Sequence, residues 1–232
     1  MRRLVINTFV TLDGVMQAPG GPEEDPTGVF NHGGWSVKYW DDFMNQVMGE
    51  SLAKGFDLLL GRKTYEIFAA HWPNVIDEER AARGGDASDI EDPAGQALNN
   101  ATKYVASRTL DKVGWQNSVL LRGDVAEAVA ELKAGDGPEI QVHGSADLIQ
   151  TLLQHNLIDE YRVWIFPLVV GPGKRLFSGG TVPAGLRLVD VKTSSTGVVI
   201  ATYEPAGAID YGSFAFEEPP EAELERRRKL AD

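Results

Sequence analysis

The chain has 232 residues, 43% hydrophobic and 24% charged, with no cysteine and a formal net charge of −12. This is globular composition, long enough for a sizeable core and for one or two domains. It excludes disulfides, thiolate catalysis and Cys-ligated zinc. It offers no apolar run of about 18 residues for a membrane span, and its overall field repels nucleic-acid backbones while leaving room for a local basic pocket.

Residues 3–10 are apolar and β-branched and predict a first strand. The basic start is followed by neither a sustained apolar stretch nor a small-residue cleavage site, so it does not read as a secretion signal; with the missing cysteines this predicts a cytoplasmic protein. Residues 17–34, rich in Gly and Pro, predict a long loop. Ser36 can cap a helix whose apolar face is Trp40, Phe43, Met44, Val47, Met48 and Leu52. Residues 56–60 form a short strand closed by Gly61, and Thr64 can cap a short helix carrying Tyr65, Phe68 and Ala69. Residues 73–93, charged and containing Gly84 and Gly85, predict a second long loop. Short strands follow at 103–106, 118–121 and 139–142. Asp124 with Glu127 makes a capping-box pattern before Val125, Ala128, Val129 and Leu132, and Ser145 can cap a helix with Leu148, Ile149, Leu152 and Leu153. A longer strand is expected over 159–170. Residues 186–193 and 198–203 flank Ser194-Ser195-Thr196-Gly197 as a closing hairpin, and from 205 onward the composition turns acidic and then basic.

Short, nearly all-apolar strands separated by helices are how parallel strands covered on both faces read. The expected class is therefore α/β, a mixed and mostly parallel sheet of about eight strands with helices on both faces. The β/α pattern resumes in phase after both loops, so residues 1–204 are expected to form one domain and 205–232 a C-terminal extension.

Ligands of such sheets bind beyond the carboxyl ends of the strands. Gly61-Arg62-Lys63-Thr64 runs from strand to helix, where free N–H groups and Arg62 suit an anion. Gly144-Ser145 also joins strand to helix and permits close backbone approach to a pyrophosphate. Ser107-Arg108, a hydroxyl beside a guanidinium, suits a phosphate monoester. Each turn alone also fits an ordinary capped turn with solvated side chains. Three of them at successive strand ends of an acidic chain point to a phosphate-bearing ligand.

Four motifs then carry a resemblance: Thr11-Leu12-Asp13-Gly14; Leu60-Gly61-Arg62-Lys63-Thr64-Tyr65-Glu66; Lys103-Tyr104-Val105-Ala106-Ser107-Arg108-Thr109-Leu110; and His143-Gly144-Ser145-Ala146. In this order they resemble the dihydrofolate-reductase-like superfamily, and most nearly the branch of the C-terminal reductase domain of the bifunctional riboflavin-biosynthesis deaminase/reductase. Leu157-Ile158-Asp159-Glu160-Tyr161, Val170-Gly171-Pro172-Gly173 and Leu176-Phe177 match that branch too. The resemblance implies a three-layer fold and an NADPH site. Gly61, Arg62, Lys63 and Thr64 would hold cofactor phosphates, Ser107 and Arg108 the adenosine 2′-phosphate, and Gly144, Ser145, Ala146, Asp147 and Leu148 the pyrophosphate. Asp13 and Gly14 would lie near the nicotinamide and substrate, and the 17–34 loop where folate reductases carry a mobile active-site loop. It also implies a homodimer through edge elements, in which the 159–170 strand could take part.

Folate reductases use one carboxylate near the start of the first helix to assist protonation. On a helical wheel Asp41 flanks the apolar face and Asp42 points nearly opposite, so Asp41 is the inward, catalytic candidate, with Trp40 beside the substrate. Both aspartates also fit simple helix-dipole carboxylates. Gly33-Gly34-Trp35-Ser36 departs from the folate-enzyme pattern, which leaves the substrate open among pterins, pyrimidines and related C=N or C=O compounds. The four histidines have no metal-ligand spacing, so no metal is expected. His143 can line the site or serve as a hydrogen-bonded structural histidine. Gly171-Pro172-Gly173-Lys174 lacks Walker spacing, and no G-x-G-x-x-G follows a strand. The expected function is an NADPH-dependent reductase of a small molecule, with a non-catalytic nucleotide- or pterin-binding or interaction protein on the same fold as the alternative.

Overall fold

The computed structural model describes residues 1–75, 93–179, 181–215 and 217–231. Of the second expected loop, residues 76–92 lie outside the described residues. In chain order the elements are β1 (Leu4–Thr11), a 3-10 turn (Val37–Tyr39), α1 (Asp42–Leu52), β2 (Phe56–Gly61), α2 (Arg62–His71), α3 (Pro93–Asn100), β3 (Lys103–Ala106), β4 (Ser118–Leu121), α4 (Val125–Ala134), β5 (Glu139–Val142), α5 (Ala146–Gln154), β6 (Glu160–Phe166), β7 (Gly185–Thr193), β8 (Val199–Gly207) and α6 (Glu221–Ala231).

The strands form one eight-stranded sheet in the order β4-β3-β2-β5-β1-β6-β8-β7. β4 through β6 run parallel, while β8 is antiparallel to both β6 and β7. Alternation along the central strands feeds two cores. Leu4 and Ile6 of β1, Leu59 of β2, Ile140 and Val142 of β5, and Tyr161 and Val163 of β6 meet Val129 of α4 and Leu148, Ile149 and Leu152 of α5. On the opposite face Trp164 and Phe166 pack with Met44 of α1, and Leu58 and Leu60 pack with Leu52, Tyr65 of α2 and Leu98 of α3. Helices thus cover both faces, in three layers.

Several boundaries differ from expectation for local reasons. Ser36 precedes only the 3-10 turn and makes no side-chain cap; its hydroxyl donates to the Pro19 carbonyl (2.8 Å). The backbone turns extended at Trp40, and Asp41 is the N-cap of α1, its carboxylate accepting from Met44 N–H. Phe43, expected on the apolar face, is 36% exposed. Pro167 follows β6 and ends it well short of residue 170. β6 lies between β1 and β8, so it is not an edge, and the edge strands are β4 and β7. β8 runs past residue 204 to Gly207, paired with β7 as far as Gly185. α6 is charged on all sides and laced by ion pairs such as Arg227–Glu223 and Lys229–Glu225.

One side chain the sequence did not single out holds the β3 end together. Lys103 is wholly buried. Its ammonium donates to the carbonyls of Asn99 (2.6 Å) and Gln116 (3.1 Å) and sits 4.2 Å from the centroid of the Trp115 ring. Burial pushes its pKa down to about 8.

Candidate active site

The carboxyl ends of β2, β3 and β5 open onto one cleft of about 1740 Å³. At its centre the starts of α2 and α5 are clasped together. Ser145 Oγ accepts from Gly61 N–H (2.8 Å) and donates to Thr64 Oγ1 (2.7 Å). A Cβ on Gly61 would stand 2.8 Å from the Ser145 side chain, and one on Gly144 would stand 3.3 Å from Thr64 Oγ1. Both positions therefore need glycine for close approach. Ser145 itself is left-handed (φ 74°), which costs a non-glycine residue about 1–2 kcal/mol. It does not cap α5 with its side chain, and Gly61, not Thr64, is the N-cap of α2. Serine and threonine are instead spent on joining the two helix starts. The first-turn residues of both helices, whose N–H groups have no acceptor within their helix, line the same cleft.

Cations flank this clasp. Arg62 pairs loosely with Glu66 (3.3 Å), and Lys63 reaches Thr27 Oγ1 (3.3 Å). Ser107 Oγ accepts from Thr109 and Leu110 N–H, which fixes the turn that projects Arg108. Arg108 is exposed, lines the cleft and has no partner among the described residues. An acidic chain has thus placed three cations at one rim.

The other end of the cleft is aromatic and amide-rich. Phe9, Trp40, Met48, Leu52 and Phe68 line it with Asn7 and Asn45. Trp40 stacks on Trp164, planes 4° apart and centroids 5.8 Å apart, and donates to Asn45 Oδ1 (2.6 Å). The first expected loop forms a wall. Gln17 Nε2 donates to the carbonyls of Asp25 and Thr27 (2.9 Å each), and Lys174 pairs with Asp25. Burial pushes the Asp25 carboxyl up, but the bonds from Lys174 and Thr27 outweigh it and hold it low. Glu24 lines the cleft with Oε2 accepting from Gly20 and Gly21 N–H (2.6 and 3.1 Å), and burial pushes its carboxyl up against those bonds. His143, one residue before Gly144, is held to neutrality by burial, which with the Arg162 cation lowers it to about 4.

Of the residues singled out from sequence, Gly61 to Thr64, Ser107, Arg108, Gly144 to Leu148 and Trp40 line this one cleft. Asp13, Gly14 and Asp41 do not. The Asp13 carboxylate accepts from Thr11 Oγ1 (2.6 Å) and from Val170 and Gly171 N–H, so it pins the 170–175 segment; the Thr11 bond leads in lowering its pKa. Gly14 (φ 83°) completes the tight turn back to Thr11. Asp41, read from the wheel as inward, precedes the helix altogether. Its carboxylate binds Met44 N–H and both the N–H and hydroxyl of Ser195, tying α1 to the β7–β8 hairpin, and Ser195 leads in lowering its pKa. The residues missed were Asn7, Glu24 and Gln141. An amide side chain within each of two central strands, LVINTFVT and EIQV, was the available signal for Asn7 and Gln141.

Sheet order, layers and cleft define a dihydrofolate-reductase-like α/β protein. A dihydrofolate reductase from Enterococcus faecalis complexed with NADP(H) and RAB-propyl shares the fold, with TM-score 0.52, 13% identity and coverage of 88% of this chain and 96% of that one. So does a pyrimidine reductase-like protein from Corynebacterium diphtheriae, with TM-score 0.55, 14% identity and coverage of 88% and 92%. Residues 2–200 match the RibD C-terminal domain, and the chain belongs to that family. The uncharacterized protein YyaP of Bacillus subtilis (strain 168) is 30% identical over 206 residues, 87% of this chain and 94% of that protein. Family and fold point to a reductase-type protein. Among the described residues no helix is long and apolar enough to cross a membrane.

Proposed function

We propose that the chain is an NADPH-dependent reductase that delivers hydride to a C=N or C=O of a pyrimidine, pterin or related heterocycle. The observation that carries this is the Gly61–Ser145–Thr64 clasp. It joins two helix starts into one anion site, with Arg108, which has no partner among the described residues, at the rim and an aromatic, amide-bearing pocket at the far end. The donor set fits the cofactor: N–H groups of residues 62–64 and 146–148 suit a pyrophosphate, and Ser107 with Arg108 suits a 2′-phosphate. The cleft exceeds the roughly 300–1,000 Å³ of a drug-sized site, leaving room for cofactor and substrate together.

NADPH, when bound, supplies the hydride. The chain binds and orients both partners, and its aromatic wall excludes water from the reacting end. Reduction of C=N or C=O also takes up a proton, and we assign its supply to Glu24 Oε1. Among the described residues Glu24 is the cleft-wall carboxyl whose pKa burial raises, and its other oxygen is already held by Gly20 and Gly21.

The test is cofactor titration followed by turnover. NADPH should bind the purified protein, and NADH more weakly. Arg108→Ala should narrow that preference by about tenfold, the worth of one charge-assisted hydrogen bond. No NADPH binding at high micromolar concentration removes the reading, and an unchanged NADPH/NADH ratio removes Arg108 from the site. With a panel of pterins, pyrimidines and small carbonyls, Glu24→Gln should lower turnover without weakening NADPH binding.

A further inference from the structure

A chain of hydrogen bonds of fixed polarity runs beneath the cleft floor. It begins at Trp164, whose indole N–H can only donate. That N–H donates to Asn7 Oδ1 (3.1 Å), so the Asn7 amide nitrogen faces Gln141 and donates to its Oε1 (3.4 Å). From the other end, Arg162 grips both oxygens of Glu139 (2.7 and 2.9 Å). Burial pushes the Glu139 carboxyl up, but the Arg162 bonds outweigh it and keep Glu139 ionised, an acceptor only. Gln141 Nε2 donates to Glu139 Oε1 (2.5 Å). Both ends therefore orient the Gln141 amide in the same sense, with Oε1 as the acceptor. His143 Nε2 lies 2.6 Å from that oxygen. Two acceptors cannot face one another at this distance, so Nε2 carries the proton and Nδ1 carries a lone pair.

The ring's surroundings say where that lone pair is used. His143 packs against Phe56 (6.2 Å between centroids) and Phe68 (6.4 Å), on the face covered by α1 and α2. Leu148, in the helix that follows, belongs to the core of the opposite face. The chain thus divides at the end of β5, with the anion turn to one side and His143 on the aromatic side. His143 lines the cleft, and Nδ1 has no partner among the described residues and is not sealed from solvent.

The geometry points to His143 Nδ1 as a hydrogen-bond acceptor that selects substrates presenting an N–H or O–H donor, set by the Trp164–Asn7–Gln141–Glu139–Arg162 chain. This rests on the reductase reading for its location in the substrate pocket, though not for the tautomer. The substrate class narrows to heterocycles with an amino or imide donor, such as an aminopyrimidine or a pterin. A fully N-alkylated ring is refused, because its approach strips the acceptor of water and leaves it unpaired. His143 is a binding residue and no proton donor, since its only proton is committed to Gln141.

Long-range 1H–15N NMR of the ¹⁵N-labelled protein at neutral pH tests the tautomer directly. The Nε2–H form is expected; a signal for Nδ1–H or for imidazolium overturns the inference. The same sample, saturated with NADP+, is titrated with 5,6-diaminouracil, 2,4-diaminopyrimidine and 1,3-dimethyluracil. At least one donor-bearing probe should shift Nδ1, whereas 1,3-dimethyluracil should not. No response of Nδ1 across the donor-bearing probes overturns the inference, as does a response to NADP+ alone, which would give the contact to the cofactor. His143→Phe should weaken the responding probe about 10–100-fold and leave NADPH affinity unchanged. His143→Gln, which keeps an acceptor, should recover part of that loss. Failure of NADPH to bind in the parallel titration counts against the reductase reading alone; normal NADPH binding with a silent Nδ1 counts against this inference alone.

Discussion

Ser145 offers a substitution pair that separates two energies at one residue. Ser145→Ala removes the bonds to Gly61 N–H and Thr64 Oγ1 and keeps the left-handed backbone, φ 74°. At about 0.5–1.5 kcal/mol per bond the loss is about 1–3 kcal/mol, with the half-buried Gly61 N–H left unpaired favouring the upper part. Ser145→Gly loses the same bonds but relieves the left-handed penalty of about 1–2 kcal/mol, less the roughly 0.4–1 kcal/mol that glycine's freedom adds to the unfolded chain. The glycine variant should therefore be the more stable of the two by about 1 kcal/mol. In a chain of this size 1 kcal/mol moves the melting temperature by about 2–4 °C. Thermal denaturation followed by circular dichroism should place Ser145→Ala about 4–8 °C below the parent, with Ser145→Gly about 2–4 °C above the alanine variant. Identical midpoints for the two variants would show that the left-handed backbone stores no strain, and an alanine variant as stable as the parent would dissolve the clasp as an energetic feature.

Other expectations concern acid, catalysis and assembly. His143 is neutral in the fold down to about pH 4, while an unfolded histidine titrates near 6.5. A depressed folded pKa means that its contribution to stability is whole above pH 6.5 and is lost as pH falls from 6.5 toward 4, by on the order of 2–3 kcal/mol. The stability gap between the parent and His143→Gln, measured in urea, should shift accordingly between pH 7.5 and pH 4.5, and a gap independent of pH would refute this. Asp41→Ala should lower the melting temperature through the lost cap and hairpin tie but leave turnover unchanged; full stability with collapsed turnover would return Asp41 to the chemistry. β7 is an edge strand on which Leu186, Leu188, Val189 and Val191 are 40–51% exposed, and we expect two copies to pair along it. Light scattering should give twice the chain mass, and Leu188→Lys with Val191→Lys should halve it; a monomeric parent would end that expectation.

The strands, their mostly parallel order and the three strand-end turns that meet at one cleft were legible because they depend on local pattern: apolar runs, Gly at strand ends, and Ser or Thr at helix starts. The roles of the hydroxyls were not. Ser145 and Thr64 read as caps, since a cap is the only partner that sequence spacing supplies, whereas their partners lie 84 and 81 residues away. Asp41 failed for a related reason. A helical wheel assumes that the helix has already begun, and the competition between Ser36 and Asp41 to begin it was decided by Pro19, which took the Ser36 hydroxyl. Asp13 was read as lying near the substrate because the family resemblance implies it. The Val170 and Gly171 amides that occupy it come from the far end of the chain. Gln141 and Asn7 were passed over because nothing local to either strand shows what its amide pairs with, and only the register of β1 against β5 brings them together.

The clasp has a consequence for the life of the chain. Because residues 61, 64 and 145 join segments more than 80 positions apart, no fragment and no nascent chain shorter than α5 owns the proposed anion site. An anion that fills it binds the finished fold alone. At a hundredfold excess over its dissociation constant, such a ligand adds about 2.7 kcal/mol to the folded state. Protein abundance would then track the supply of that ligand, with starved molecules opening more often and meeting proteases first.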